Sequence, residues 1–263
     1  MKLGIAGFGF VGQAVYSAIK RPYETENKTD VIMYDPPKGM DCLDELLQTD
    51  AIFCCLPTPS SPDGQDFSIF SEFLETMENL DYQGIIIIKS TVLYSKLEPF
   101  LKTPIINIVV NPEFLNQNSS VEDFYNQKYI ILGGRADLTA RIADIYREGF
   151  NFTEFPNFIF CSEKEAIEVK YTHNVYHALK VLYWNYVHEM TGNERKIFDM
   201  YLKVTGKLEK FEMARVFADG RPGFGGACFP KDVFARHKEK PHELTEFMIK
   251  YNKSLRGIEY KDN

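Results

Sequence analysis

The sequence lacks most of what would mark an exported, membrane-bound or polyanion-binding protein. Its 263 residues hold five cysteines, at 42, 54, 55, 161 and 228, an odd number with no disulfide-like pairing. The opening is strand-like and broken by glycines, unlike a secretory leader, and no apolar run is long enough to span a bilayer. Positive charge is scarce: 30 Lys and Arg against 37 Asp and Glu leave a net charge of −7. That balance argues against broad nucleic-acid or anionic-membrane binding, so a phosphate-bearing ligand has to be met by local donors. Internal repeats, low-complexity tracts and long linkers are missing. His173 and His177 are four apart, but the segment between them lacks the glutamate of a zinc-protease helix and no third ligand is apparent. A cytoplasmic protein of one or two domains is expected, with no metal, membrane or nucleic-acid partner.

What is present begins with a short apolar strand, Lys2-Leu3-Gly4-Ile5-Ala6. Gly7-Phe8-Gly9-Phe10-Val11-Gly12 follows at once, then a helical stretch from Gln13 to Lys20. This is G-x-G-x-x-G between a strand and a helix, with Asp35 closing the next strand, and in that context it reads as a dinucleotide fingerprint rather than a plain glycine turn. A carboxylate at Asp35 accepts from ribose hydroxyls and repels a 2′-phosphate, which favours NAD over NADP; Lys38 nearby pulls the other way. Further apolar strands are predicted over 51–56, 84–89, 105–110 and 129–132, alternating with amphipathic stretches over 67–80 and 137–150. Alternation of this kind predicts an α/β domain over 1–160, with a doubly wound, parallel, Rossmann-like sheet. Ligands bind beyond the carboxyl ends of such strands. There stand Pro57-Thr58-Pro59-Ser60, Ser90-Thr91-Val92 and Asn111-Pro112-Glu113-Phe114-Leu115, each also compatible with ordinary turn chemistry.

The second domain, 161–263, is expected to be helical. From Ser162 to about Met190 there is no glycine or proline, and Ser162 with Glu165 forms a capping-box pattern, so one long central helix is predicted. Ala166, Val169, His173, Tyr176, Leu179, Lys180, Tyr183 and Tyr186 lie at spacings of three and four and form a stripe suited to an interface. Lys170 and Asn174 share one face of this helix, either as a site or as a solvated pair. Gly223-Phe224-Gly225-Gly226-Ala227-Cys228-Phe229-Pro230-Lys231-Asp232 then sets a single cysteine before a helix start, with Pro230 expected at the first helical position. Free N–H groups, the helix dipole and Lys231 would favour the Cys228 thiolate, whereas the bland reading is a structural thiol in a loop. The tail from Lys238 is charged, with one apolar patch at Phe247–Ile249, and is expected to form a helix that frays.

These segments, in this order, resemble the UDP-glucose/GDP-mannose family of nucleotide-sugar 6-dehydrogenases over about residues 2 to 236. The six motifs are Gly7 to Gly12, Thr58-Pro59, Ser90-Thr91-Val92, Asn111 to Leu115, Lys170 with Asn174, and Gly223 to Asp232. The resemblance implies four-electron oxidation of a sugar C6 alcohol to a carboxylate, with NAD as acceptor and a thioester on Cys228. It implies that Lys170 and Asn174 hold the C6 oxygen, that Asp232 positions Lys170 and water, and that Glu113 and Thr91 act on that water. Gly7, Phe8, Gly9, Phe10, Val11, Gly12, Asp35, Leu56, Thr58, Pro59, Ser60, Ser90, Thr91 and Lys231 would meet NAD. Glu113, Phe114, Leu115, Asn116, Lys170, Asn174, Phe224 and Gly225 would meet the sugar nucleotide, and Arg215, with Arg221 as a rival, would reach across a homodimer built on the 162–190 helix. Family members continue into a third domain that the resemblance does not include. UDP-glucose is the expected substrate. The alternatives are another UDP- or GDP-sugar, a two-electron 3-hydroxyacid-type oxidation, and an inactive relative that serves as a binding module.

Overall fold

The computed structural model describes residues 1–20, 29–40, 42–103, 105–206 and 219–257. Apolar runs in the first half become β1 (Lys2–Ala6), β2 (Asp30–Tyr34), β3 (Ala51–Cys54), β4 (Ile85–Ile88) and β5 (Asn107–Val110), all parallel. Every residue of β3 and β4 is buried, as expected of strands covered by helices on both faces. Those helices are α1 (Phe10–Lys20), α2 (Leu43–Leu46), α3 (Ser68–Asn79), α4 (Tyr94–Lys102), α5 (Ser120–Tyr125) and α6 (Ala136–Gly149). Leu3, Ile5, Val15, Phe53, Ile87, Val109, Ile142, Tyr146 and Phe150 belong to one continuous core.

Two further strands, β6 (Tyr129–Gly133) and β7 (Asn157–Cys161), complete a seven-stranded sheet of order β2-β1-β3-β4-β5-β6-β7. They run parallel to each other, but β6 meets β5 antiparallel, Val110 opposite Gly133, which corrects the all-parallel expectation. An apolar run of four or five residues reads the same in either direction, so periodicity carried no sign of the reversal. The chain leaves β1 toward β2 on one side and reaches β3 on the other. The crevice at the carboxyl ends of β1 and β3 is therefore the topological switch point, where such sheets bind ligands.

Two compact units divide the chain: Met1–Thr58 with Phe67–Lys170, and Pro59–Asp66 with Tyr171–Asn263. The long helix α7 (Glu163–Thr191) starts in the first and ends in the second. Its capping box is formed, with the Ser162 N–H donating to Glu165 Oε2 at 2.9 Å and the Glu165 N–H to Ser162 Oγ at 3.3 Å.

The second unit holds the rest of α7 with α8 (Glu194–Thr205), α9 (Phe229–Glu239) and α10 (Glu243–Arg256). Ala178, Val181, Leu182, Phe224, Val233 and Met248 form its main core. The helix expected in the charged tail is α10, which buries Thr245, Met248 and Asn252. The segment Pro59–Asp66 also belongs here: Gln65 donates to the Tyr171 hydroxyl at 3.3 Å, and Gly64 sits at φ +107 against α9. A Cβ on Gly64 would stand 2.8 Å from that of Lys238, so both the backbone angle and the close approach require glycine.

Candidate active site

The glycine turn after β1 is built as a cradle. Gly7 adopts φ +87, and a Cβ there would stand 2.7 Å from the Cys55 carbonyl oxygen, while Gly12 is pressed against the Gly7 carbonyl. Gly9 differs, since a Cβ on it would meet nothing within 4 Å, and its backbone is open just ahead of the α1 N-terminus at Phe10 and Val11. Asp35 accepts from the Phe8 N–H at 2.8 Å. Lys38 Nζ bridges the same pair, 2.6 Å from the Phe8 oxygen and 3.1 Å from Asp35. An open glycine at a helix start, with a carboxylate at the end of the next strand, fits a dinucleotide: pyrophosphate at the turn, ribose at Asp35.

The next two loops are tied to each other. Thr58 Oγ1 donates to the Thr91 carbonyl at 2.8 Å and Ser90 Oγ to the Leu56 carbonyl at 2.6 Å. Leu56 and Thr58 are buried, so these expected cofactor residues shape the rim and commit their donors within it. Pro59 and Ser60 are exposed.

After β5 the turn places Glu113 inside the first unit. Glu113 Oε2 accepts from the Leu115 N–H at 2.7 Å, and Lys170 Nζ lies 3.2 Å from Oε1 and 2.6 Å from the Glu113 carbonyl oxygen. Both side chains are under a tenth exposed, a buried pair in which each charge depends on the other. The Lys170 ammonium also lies 5.3 Å from the ring centre of Phe114, which is partly exposed. Asn116 uses its N–H on Asp123 and its side chain on the Asn118 N–H.

Cys228, Asn174 and Asp232 lie in the second unit. Cys228 is the N-cap of α9 and its carbonyl accepts from the Asp232 N–H at 3.0 Å; Pro230 occupies the second helical position, not the first. Asp232 is fully buried. Its Oδ2 accepts from Asn174 Nδ2 and its Oδ1 from Lys231 Nζ, both at 2.6 Å. Lys231, expected at the cofactor, thus directs its ammonium to Asp232. Phe224, expected to offer its backbone to a sugar, has both backbone groups held by Asn252: its N–H donates to Oδ1 at 2.7 Å and its carbonyl accepts from Nδ2 at 3.1 Å. Gly225 leaves no room for a side chain against Asp219 and Arg256, and Gly223 and Gly226 take φ near +77. Arg215 lies outside the described residues; Arg221 is exposed.

Several supporting residues escaped the sequence reading. Asn185 on α7 accepts from the Gly223 N–H at 3.0 Å, Asn252 on α10 holds Phe224, and Arg256 pairs with Asp219 at 2.5 Å while reaching the Pro222 carbonyl at 3.3 Å. An asparagine inside a helix is unfavourable unless its amide bonds elsewhere, and that was the available signal. His173 and His177 pack ring to ring at 4.3 Å, with His177 also stacked on Phe229.

Residues 38–149 match the UDP-glucose/GDP-mannose dehydrogenase family, NAD binding domain. The UDP-glucose 6-dehydrogenase AglM of Haloferax volcanii is 30% identical over 213 residues, which cover 73% of this chain and 48% of that protein. The UDP-glucose 6-dehydrogenase of Rickettsia felis is 29% identical over 234 residues, 80% of this chain and 49% of that protein. A UDP-glucose dehydrogenase structure from Pyrobaculum islandicum shares the fold, with a TM-score of 0.72 at 20% identity over 96% of this chain and 68% of that one. The chain spans about half the length, or less, of the curated relatives it matches. Residues 38–149 thus match the NAD-binding domain of the UDP-glucose/GDP-mannose dehydrogenase family, and the chain as a whole is similar to UDP-glucose 6-dehydrogenases over about half of their length.

Proposed function

We propose that the chain oxidises a nucleotide sugar, UDP-glucose first among candidates, from its C6 alcohol to the carboxylate through a thioester on Cys228. The observation that carries this reading is the fully buried Asp232, bonded to Asn174 and standing one helical turn beyond the Cys228 N-cap. A structural cysteine loop has no need of a buried carboxylate and amide beside it.

Gly7 to Gly12 and Asp35 would hold NAD, which when bound would supply the hydride acceptor for each of the two oxidations. The Lys170 ammonium and the Asn174 amide meet the C6 oxygen and stabilise negative charge there. In the first oxidation C6 loses a hydride and its hydroxyl loses a proton to water, giving the aldehyde; Cys228 as thiolate attacks that carbon, forming a C–S bond and the anion of a thiohemiacetal, and loss of a second hydride from it leaves the thioester. Water then breaks the C–S bond, with Thr91 orienting it and Glu113 taking one of its protons; the acid so formed loses the other to solvent, and the carboxylate and the Cys228 thiolate are released. Whether the sugar nucleotide carries uridine or guanosine is read by the same assay.

The α7 stripe supports a homodimer. Val169, Tyr176, Tyr183 and Met190 recur every seven residues, with Tyr186 beside them, and all five are at least 44% exposed. That repeat presents a continuous apolar seam to a second helix. No helix among the described residues is long and apolar enough to cross a membrane, and a cytoplasmic setting suits the five thiols.

Incubation with UDP-glucose and NAD is expected to yield two NADH per sugar, and Cys228→Ser to abolish formation of the acid. A panel of UDP- and GDP-sugars that gives no NADH would end this reading, and full turnover by Cys228→Ser would favour a two-electron oxidation.

A further inference from the structure

Beyond β2 the chain turns back on itself at once. The Asp35 N–H donates to the Met40 carbonyl at 2.8 Å and the Met40 N–H returns to the Asp35 carbonyl at 3.2 Å, closing a bridge around a 3-10 turn at Pro36–Lys38. Two successive prolines with fixed φ, and Gly39 at φ +75, make that turn stiff. The turn sets a cation against an acid: Lys38 Nζ lies 3.1 Å from Asp35 Oδ2 and 2.6 Å from the Phe8 carbonyl oxygen. Their side chains are 48% and 13% exposed, so of the two it is the ammonium that faces solvent.

A carboxylate at the end of this strand accepts from the ribose 2′-hydroxyl of NAD and turns away the 2′-phosphate of NADP, which other dinucleotide sites accept with a nearby arginine. Here both signs stand at one place. The Phe8 N–H and the Lys38 ammonium bond the same oxygen of Asp35, so an arriving 2′-phosphate, with nearly two negative charges at neutral pH, meets a neutral pair in place of a lone anion. A half-exposed ion pair holds weakly, and lysine's flexible stem can carry its ammonium from Asp35 to a phosphate oxygen at small cost.

We propose that Lys38 is a specificity-determining residue of the dinucleotide site: paired with Asp35 it offsets the repulsion of a 2′-phosphate and donates to it, so that the site takes NADP as well as NAD. The inference rests on the reading in which the glycine turn holds the pyrophosphate and Asp35 the ribose. Asp35 serves the ribose diol of NAD, and Lys38 serves the added phosphate of NADP. Because the turn at Pro36–Lys38 fixes the lysine backbone beside Asp35, the cation is at hand for either dinucleotide.

The test is calorimetric titration of the whole chain with NAD and with NADP, at low salt and without a sugar nucleotide. The readout is the dissociation constant for NADP divided by that for NAD. In wild type and in Lys38→Arg this ratio is expected to stay below about ten, and Lys38→Ala is expected to raise it by about tenfold or more, the loss of one charge-assisted hydrogen bond. Should Lys38→Ala not fold, Lys38→Gln, which keeps the length of the side chain and a donor for the Phe8 carbonyl, carries the same expectation. A higher ratio in wild type, or a smaller rise in the variant, would overturn the proposal. Tight binding of NAD with an unmoved ratio removes the role of Lys38 alone, whereas binding of neither dinucleotide removes the cofactor reading with it. Because no turnover is measured, a protein inactive on every sugar nucleotide would leave the Lys38 result standing.

Discussion

Asn174 donates to Asp232 at 2.6 Å, joining the middle of α7 to the first turn of α9, where Asp232 has no solvent exposure. The carboxylate's other oxygen takes the Lys231 ammonium, also at 2.6 Å. A buried anion that orients a neutral amide fixes which end of that amide faces outward. Asn174 must present its oxygen, not its nitrogen, away from Asp232.

Asp232→Ala is expected to destabilise the protein by about 3 kcal/mol, because Asn174 and Lys231 both lose their acceptor inside the fold. Urea denaturation measures it. Asp232→Asn keeps the volume and isolates the charge, and it is expected to lower NADH formation at least tenfold with a smaller change in midpoint. Unchanged turnover in Asp232→Asn would mean that the carboxylate only packs.

Lys89, which directly follows β4 and is 2% exposed, should leave a signature in stability against pH. Its folded-state value is depressed to about 8, whereas an unfolded lysine titrates near about 10.4. Between those values the unfolded chain binds more protons than the folded one, so unfolding free energy rises with pH across the window. The stability is fully present above the upper value and lost as pH falls through the lower. The contribution is about 3 kcal/mol, and Lys89→Met should lack it, giving a flatter denaturation midpoint between pH 8 and 10. Parallel curves for the two proteins would contradict the burial of a titrating ammonium.

The seam on α7 yields a third expectation. Tyr176→Glu with Tyr183→Glu introduces two like charges per helix into a face proposed to meet its own copy, and the double variant should be monomeric by light scattering at micromolar concentration. Wild type is expected at twice that mass. A monomeric wild type would remove the dimer.

Much of the first unit was legible because its strands are short, uninterrupted apolar runs and its glycine turn stands between a strand and a helix. What was not legible depends on distant contacts. β7 has exposed Ile159 and Phe160, so no alternation or burial pattern marks it as a strand, and α8 follows α7 after a break at Gly192, where φ is +63. Asn185 and Asn252 look like ordinary helical polar residues until their partners, 38 and 28 positions away in sequence, are known. Lys89 reads as a charged residue at a strand end, which sequence position alone would assign to solvent. The candidate site residues stand out by motif, whereas the bonds around them do not.

The reversal of β6 has a bearing on the turn after β5. Running against β5, the strand brings its Ile131 carbonyl to the Asn111 side chain, and that contact accepts only the NH2 end of the amide. Asn111 is thereby barred from a 180° flip, and its oxygen is locked toward Lys89 and Tyr146. Strand direction, a property of chain tracing, thus acts as a latch on the orientation of a single amide.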